Sequence, residues 1–373
     1  MLSITKKIVG YRVGTTDPQP QHPHFVADAD RRLAIRGVPT PATASLRWQK
    51  RPVLPQGNPS YTYVVHAPEG SFSVMVGHLA NGTPLTGTPF EVWVNGAEAP
   101  RGLSDLARSL SIDLRSEDRA WLRRKLSALQ KTPGLPFALT LPNGNQVSAK
   151  GAVDAFAKLV EYRCQELGAF TDEKLANTPV MDALMSRREP KTTGDGSIGW
   201  YVDVENVQTG DEFVLFLKEA VLENGQRRPF SLWLSGDYPH SLDGLAKSLS
   251  LDMRVTDPGW LARKLNQLID VREERGDFWA WVPGTEKQQN YPSTVAYVAA
   301  LVQFRFKQLG LFDEAGQPVT DGVVVQLDDA RGAREKGSSR LAGRDCSSCG
   351  AIGSVIRQEG CDLCKSCGQS RCG

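Results

Sequence analysis

The segment PFEVWVNGAEAPRGLSDLARSLSIDLRSEDRAWLRRKL (89–126) returns later in the chain as PFSLWLSGDYPHSLDGLAKSLSLDMRVTDPGWLARKL (229–265). The similarity resumes at LVEYRCQELGAF (159–170) and LVQFRFKQLGLF (301–312). A match of this length at nearly constant spacing indicates an internal duplication. Two copies are too few for a solenoid, so the sequence predicts two similar domains in tandem.

Each copy combines the signals of strands and helices. In segments such as YTYVVH (61–66) and FVLFL (213–217), apolar side chains recur with a period of two residues, which is typical of half-buried antiparallel strands. Within 103–110, leucines and an alanine recur at helical spacing, which predicts an amphipathic helix packed on the sheet. The predicted fold class is therefore α+β, with tandem duplicated antiparallel-sheet-plus-helices domains followed by a small zinc ribbon.

Composition along the chain predicts six segments. Pro, Gln, His and Thr dominate the start, whereas Gly, Ser and charged residues precede the cysteine-rich end. The expected segments are an extended N-terminal arm (1–44), a first repeat (45–172), a linker (173–196), a second repeat (197–313), a flexible linker (314–343) and a cysteine-rich zinc ribbon (344–373).

Positions matched across the duplication predict shared packing. Trp93 aligns with Trp233, and we expect both to be mostly buried anchors. Cys164 aligns with Phe306, so its position is predicted to be an apolar packing site and the cysteine a small core residue.

Paired acidic and basic residues recur near the helix ends of both copies. Asp113 and Arg115 align with Asp252 and Arg254. The sequence favours helix capping or ion pairing at these positions over a catalytic role.

The overall composition constrains the class of protein. The 373 residues are 40% hydrophobic and 23% charged, and the net charge is only +2. This balance argues against a dedicated nucleic-acid binder. The first residues lack the apolar core of a signal peptide, and the longest apolar run, 295–302, is far too short to span a membrane. We expect a cytoplasmic protein whose thiols stay reduced.

Six of the seven cysteines lie in the last 28 residues, with the spacing C-x2-C, eleven residues, C-x2-C-x2-C, four residues and a final cysteine. Four thiolates complete a tetrahedral zinc site, so two are in excess. The spacing permits zinc binding by Cys346 and Cys349 with either Cys361/Cys364 or Cys364/Cys367. A spare pair near a free terminus can cycle between dithiol and disulfide; a purely structural ribbon is the alternative.

Familiar catalytic motifs are absent from the sequence. There is no Walker loop, dinucleotide fingerprint or HExxH, and the five histidines are scattered without metal or triad spacing. No catalytic centre is therefore predicted inside the repeats.

The repeats and the tail together resemble part of a known enzyme family. PFEVWVNG…LARSLSIDLR, with its second copy PFSLWLSG…LAKSLSLDMR, is similar to the TSCPD-type domain that follows the catalytic barrel of adenosylcobalamin-dependent (class II) ribonucleotide reductases. The ending CSSCGAIGSVIRQEGCDLCKSCGQSRCG resembles their zinc-finger tail. The resemblance covers roughly residues 45–373, although a literal TSCPD string is absent.

The resemblance implies an electron relay. In the family, each turnover leaves an active-site disulfide, which a C-terminal cysteine pair reduces. Thioredoxin or glutaredoxin then reduces that cysteine pair again. Cys367 and Cys372 have the four-residue separation typical of that pair. By this resemblance they form the redox shuttle, and Cys346, Cys349, Cys361 and Cys364 bind zinc.

The family's catalytic barrel has no counterpart in this sequence. The resemblance therefore implies an accessory C-terminal component of ribonucleoside-diphosphate reductase, which serves deoxyribonucleotide synthesis with a separate barrel subunit. Adenosylcobalamin would be bound only by that subunit, and this chain should not reduce nucleotides alone. The alternative is a non-catalytic protein-interaction module with a structural zinc ribbon.

Overall fold

The computed structural model describes most of the two repeats and short pieces of the cysteine-rich tail. The described residues are 41–52, 57–81, 83–187, 189, 196–222, 225–319, 347–348, 355–358, 361–364, 367 and 369–372.

The first repeat is a three-stranded antiparallel sheet followed by helices and a small hairpin. The sheet has the strand order β1-β2-β3, and the hairpin pairs β4 with β5. The elements are β1 (Ser60–Ala67), β2 (Gly70–Asn81), β3 (Thr83–Asn95), α1 (Leu103–Arg115), α2 (Arg119–Leu129), β4 (Phe137–Thr140), β5 (Gln146–Ala149) and α3 (Ala152–Glu166). Two short helices follow, α4 (Asp172–Ala176) and α5 (Pro179–Asp182).

The second repeat has the same elements in the same order. They are β6 (Gly199–Asn206), β7 (Asp211–Val221), β8 (Arg227–Asp237), α6 (Ser241–Met253), α7 (Pro258–Ile269), β9 (Phe278–Trp281), β10 (Gln288–Tyr291) and α8 (Thr294–Gln308). Its sheet has the order β6-β7-β8, and β9 pairs with β10. The predicted α+β class with duplicated domains is confirmed.

Strand alternation decides which face of each sheet is buried. On β2, Val74 and Val76 point inward and are fully buried. The partner of Val76 on β3, Val92, is also buried, so the neighbouring Trp93 must lie on the opposite face. The prediction that Trp93 and Trp233 are buried anchors is wrong, because the two side chains are 41% and 54% exposed.

The second helix of each repeat begins at an aspartate. The side chain of Asp118 accepts a hydrogen bond from Trp121 N at 2.7 Å, and Asp257 accepts one from Gly259 N at 2.9 Å. These carboxylates satisfy backbone donors that a helix N-terminus leaves unpaired.

The two repeats pack through their helices, with α1 against α6 and α7, and α2 against α6. Gly244 on α6 permits a close approach. A Cβ atom at this position would lie 2.8 Å from Val153 Cγ1 and 3.0 Å from Leu106 Cδ2 of the first repeat. Larger side chains at position 244 would therefore separate the repeats.

Short segments ahead of each repeat connect it to the other. A 3-10 helix (Ala42–Ser45) precedes the first repeat, and α5 precedes the second. Thr43 N donates to Asp257 of the second repeat at 3.0 Å, and Val180 N donates to Asp118 of the first at 2.8 Å. Each N-capping aspartate thus accepts a hydrogen bond from the segment that precedes the other repeat.

Three short strands form a separate sheet in the tail, β11 (Val355–Gln358), β12 (Cys361–Cys364) and β13 (Ser370–Cys372), in that order. Within the described residues, every helix is too short or too polar to cross a membrane.

Candidate functional site

The strand register of the tail relates four of its cysteines to their neighbours. β12 runs antiparallel to β13, and this register sets Cys361 directly opposite Cys372. On the other side, Cys364 lies opposite Val355 of β11. Cys364 N donates a hydrogen bond to Gln369 O at 2.8 Å, which closes the turn that contains Cys367.

Cys364 is the buried centre of this small sheet. Its side chain is 1% exposed, and Val355 and Cys367 pack against it. Cys367 itself is half-buried. The arrangement brings together two of the thiols that the C-x2-C spacing predicts as a pair.

The other predicted zinc ligands are described less fully. Cys346 and Cys349 lie outside the described residues, and of Cys361 and Cys372 the structure describes the backbone only. Within the described part of the chain, no group of three or more His, Cys, Asp or Glu side chains is arranged to hold a metal.

Cys164 lies in the core of the first repeat, as predicted. It is fully buried on α3 and belongs to the same hydrophobic cluster as Phe156 and Val160. Burial raises the pKa of the Cys164 thiol to about 12. Since the thiolate is the reactive form, we expect Cys164 to be unreactive in the folded protein.

A charged cluster is sealed between the two repeats, at positions matched by the duplication. Lys125 Nζ lies 2.6 Å from Asp252 Oδ2, and Lys264 Nζ lies 2.6 Å from Asp113 Oδ2. The remaining two lysine–aspartate distances are both 3.2 Å. All four side chains are completely buried, so each carboxylate contacts one ammonium from each repeat.

Two tryptophans close this cluster. Trp121 Nε1 donates to Asp113 at 2.7 Å, and Trp260 Nε1 donates to Asp252 at 2.8 Å. The two indoles meet edge to face with centroids 6.2 Å apart, and both are fully buried. These tryptophans, rather than Trp93 and Trp233, are the matched anchors of the duplicated fold.

Within this cluster, the neighbouring charges keep the Asp113–Lys264 pair in its ionic form. Burial disfavours the charge on Asp113, but the attraction of Lys125 and Lys264 is stronger than this effect and lowers the pKa of the Asp113 carboxyl. Burial likewise opposes the charge on Lys264, yet Asp113 and Asp252 raise its pKa. At the other pair burial has the larger effect, because it lowers the pKa of Lys125 to about 8 and raises the pKa of Asp252. All four side chains are sealed from solvent, so the cluster joins the repeats to each other and cannot reach a substrate.

The ion pairing predicted for Asp113 and Asp252 is present, but their partners are lysines of both repeats rather than the nearby arginines. A signal for this existed in the sequence. Asp113, Trp121 and Lys125 all recur in the second copy, and Trp121 and Lys125 are four residues apart on one helix face with the core residue Leu122 beside them. Charged residues kept on an apolar helix face indicate a buried ion pair.

The outer face of the second sheet carries a row of exposed aromatic side chains. Tyr201 lies opposite Phe216, and Phe216 lies opposite Trp233, so the three side chains cross all three strands. The ring centroids of Tyr201 and Phe216 are 6.0 Å apart. The corresponding row in the first sheet is Thr62, Met75 and Trp93, which is less aromatic.

No known protein family, curated protein or solved structure matches the chain.

Proposed function

We propose that this chain is the accessory C-terminal component of an adenosylcobalamin-dependent ribonucleotide reductase. It would relay electrons from thioredoxin or glutaredoxin to the active-site disulfide of a separate catalytic barrel subunit. The single observation that carries this proposal is the cysteine-rich tail, which has six thiols where a structural zinc site needs four.

The relay can be written as thiol–disulfide exchange. The thiolate of Cys372 attacks one sulfur of the barrel's disulfide and forms a mixed disulfide. A second tail thiolate then attacks the Cys372 sulfur, which releases the barrel's dithiol and leaves a disulfide in the tail. Two electrons pass to the barrel in this step, and the dithiol of thioredoxin or glutaredoxin returns them to the tail.

Two tail cysteines are candidates for the partner of Cys372. The four-residue spacing supports Cys367, as the family resemblance implies. The register supports Cys361, because residues directly opposite each other in an antiparallel pair have Cα separations that a disulfide can span. The contact between Cys364 and Cys367 also favours Cys361, because Cys364 and Cys367 would then bind zinc together and Cys361 would pair with Cys372.

The donor set of the tail fits zinc. Thiolates in C-x2-C pairs are preferred zinc ligands. The tail sheet is too small to bury a hydrophobic core that would keep it folded without a metal. Cys346, Cys349 and Cys364, with either Cys361 or Cys367, would hold the ion, which would supply folding energy rather than chemistry. Adenosylcobalamin is assigned to the catalytic subunit, and no residue of this chain is assigned to it.

The test is reconstitution of the full chain with its catalytic subunit. Replacement of Cys372 by Ser should abolish multiple turnover with thioredoxin and preserve activity with a small dithiol that reaches the active site directly. Cys361→Ser and Cys367→Ser identify which cysteine pairs with Cys372. The variant that lacks the pairing cysteine should keep its zinc, whereas the variant that lacks a zinc ligand should lose it. Thioredoxin-driven turnover that survives the loss of Cys372 would refute the relay.

The alternative function is a non-catalytic interaction module, and the aromatic row on the second sheet favours it. Tyr201 and Trp233 are 67% and 54% exposed, which is unusual for large side chains on a sheet face without a partner. Such a module would bind its partner equally well before and after Cys372→Ser and would support no dithiol-dependent turnover.

A further inference from the structure

The outer face of the second sheet carries a row of carboxylates as well as the aromatic row. The strand register sets Glu205 opposite Glu212, and Glu212 opposite Asp237. We name these three residues the acidic row. It crosses all three strands four residues along from the aromatic row, which corresponds to about 13 Å. Asp203 lies on the same face between the two rows.

These carboxylates point to solvent. The acidic row and Asp203 are exposed, whereas their chain neighbours Val204 and Phe213 are buried on the inner face. Among the residues that the structure describes, none of the four carboxylates has an ion-pair or hydrogen-bond partner. The face therefore presents uncompensated negative charge beside large exposed rings.

The acidic row is unfavourable for the sheet alone. Like charges directly opposite each other on neighbouring strands repel. Charged side chains often protect the edge strands of a sheet from pairing with other chains. That role does not explain Glu212, because β7 is the central strand and is paired on both sides. A cationic partner would relieve the repulsion.

The duplication provides an internal comparison. In the first sheet, His66 and Ser71 occupy the positions that correspond to Glu205 and Glu212. His66 Nδ1 lies 3.0 Å from Ser71 Oγ, so the two side chains form a hydrogen bond with each other. A sheet of this fold thus forms without an acidic row, and the row is a special feature of the second repeat.

The charge of the face decides among its possible occupants. Carboxylates repel the phosphates of nucleic acids and of anionic lipids. A second copy of this chain would offer few available cations from the same face. Lys218 and Arg227, toward the other end of β7 and β8, already lie 3.6 Å from Glu189 and 2.6 Å from Glu219. The complementary occupant is therefore a different polypeptide with basic side chains.

We propose that the outer face of the second sheet docks a basic segment of a partner protein, in which apolar side chains accompany several Lys or Arg residues. The apolar side chains would pack on the aromatic row, and the cations would pair with the acidic row. A guanidinium would also stack favourably on the exposed indole of Trp233. The proposal uses none of the tail cysteines, so its outcome is independent of the cysteine relay.

The experiment is fluorescence anisotropy of labelled synthetic peptides titrated with the full chain. The peptides have about twelve residues, enough to span both rows in extended form. In one Arg alternates with Leu, in the second Arg alternates with Ser, and in the third Glu alternates with Leu. The Arg–Leu peptide should bind with a Kd below about 100 μM, the Arg–Ser peptide severalfold more weakly, and the Glu–Leu peptide not detectably. Raising the salt from about 0.05 M to about 0.5 M should weaken binding severalfold.

Two variants test the two rows separately. Trp233→Ala should weaken the Arg–Leu peptide about tenfold, because large aromatic side chains dominate the affinity of interfaces. Glu212→Gln should weaken it severalfold, and it should raise the unfolding temperature of the free chain because it removes repulsion within the acidic row. A thermal melt of the free variant therefore distinguishes lost binding from lost folding.

The matched controls are Trp93→Ala, at the corresponding position of the first sheet, and Glu173→Gln, which removes an exposed carboxylate from α4. Both should leave the affinity for the Arg–Leu peptide unchanged. The proposal is overturned if the Arg–Leu peptide binds no more tightly than the Glu–Leu peptide, or if the controls weaken binding as much as the two variants do. It is also overturned if sedimentation velocity shows a dimer of the parent chain that Trp233→Ala dissociates, because the face would then belong to a second copy.

Discussion

Lys125 of the first repeat lies 2.6 Å from Asp252 of the second, and neither side chain has any exposed surface. Its matched residue, Lys264, makes the reciprocal contact with Asp113. This relationship means that neither repeat can complete its own charged cluster. The duplicated halves are therefore expected to unfold together.

Replacement of Lys125 by Met tests this dependence. The change leaves a carboxylate buried with one ammonium too few, so the free energy of unfolding should fall by about 3–5 kcal/mol. Urea denaturation followed by far-UV circular dichroism measures the loss. The control is Lys218→Met, which removes an ion pair to Glu189 in which both side chains are partly exposed, and it should cost no more than about 1 kcal/mol.

A double variant separates charge from packing in the same cluster. Lys125→Met with Asp252→Asn removes one charge of each sign, so it should be more stable than Lys125→Met alone. If the double variant loses the sum of the two single losses, the cluster is not coupled as its geometry indicates.

Asp105 gives the stability of the protein a pH dependence. Burial on α1 raises the pKa of this carboxyl from 3.8 to about 6. A raised folded-state pKa means that folding takes up a proton, so the stabilising contribution is complete below about pH 4 and is lost as the pH rises through 6.

Asp105→Asn should therefore remove part of the loss of stability between pH 4 and pH 6. At pH 7 the variant should be more stable by up to about 3 kcal/mol, which corresponds to two pKa units. Urea denaturation at several pH values measures both effects. An unchanged slope in the variant would show that Asp105 ionises in the folded state as it does in the unfolded chain.

The fold was predictable because the duplication repeats both the strand alternation and the helical spacing. The exposure of Trp93 was not predictable in this way, because its recurrence in the second copy shows that the position is shared without showing which face of the sheet it occupies. The flanking Val92 and Val94 carry that information, since alternate residues of a strand point to opposite faces. Contacts between the repeats, such as Lys125 to Asp252, depend on how the copies dock, which no local pattern specifies.

The candidate sites differ in the same way. The tail cysteines were evident from spacing within one short segment. By contrast, the cavity lined by Arg51, Trp93, Arg115 and Arg263 draws on four separate parts of the chain and on both repeats. Sites of that kind emerge only from the packing of distant segments.

The buried thiol of Cys164 should be protected from alkylation. Iodoacetamide added to the native protein should leave Cys164 unmodified, because its pKa of about 12 and its burial keep the thiolate scarce and inaccessible. Mass spectrometry of peptides should detect its modification only after denaturation. Native labelling at Cys164, absent from a Cys164→Ala control, would mean that the core of the first repeat opens readily.

Zinc content should separate the roles of the tail cysteines. We expect about one zinc ion per chain by metal analysis, and its loss in Cys364→Ser, because Cys364 is the buried centre of the tail sheet and belongs to both proposed ligand sets. Cys372→Ser should keep its zinc, since its place on β13 opposite Cys361 suits an exchanging thiol rather than a ligand. The control, Cys164→Ser, alters a cysteine of the first repeat and should retain the metal. Full zinc content in Cys364→Ser, or its loss in Cys372→Ser, would contradict this division between a metal site and a redox pair.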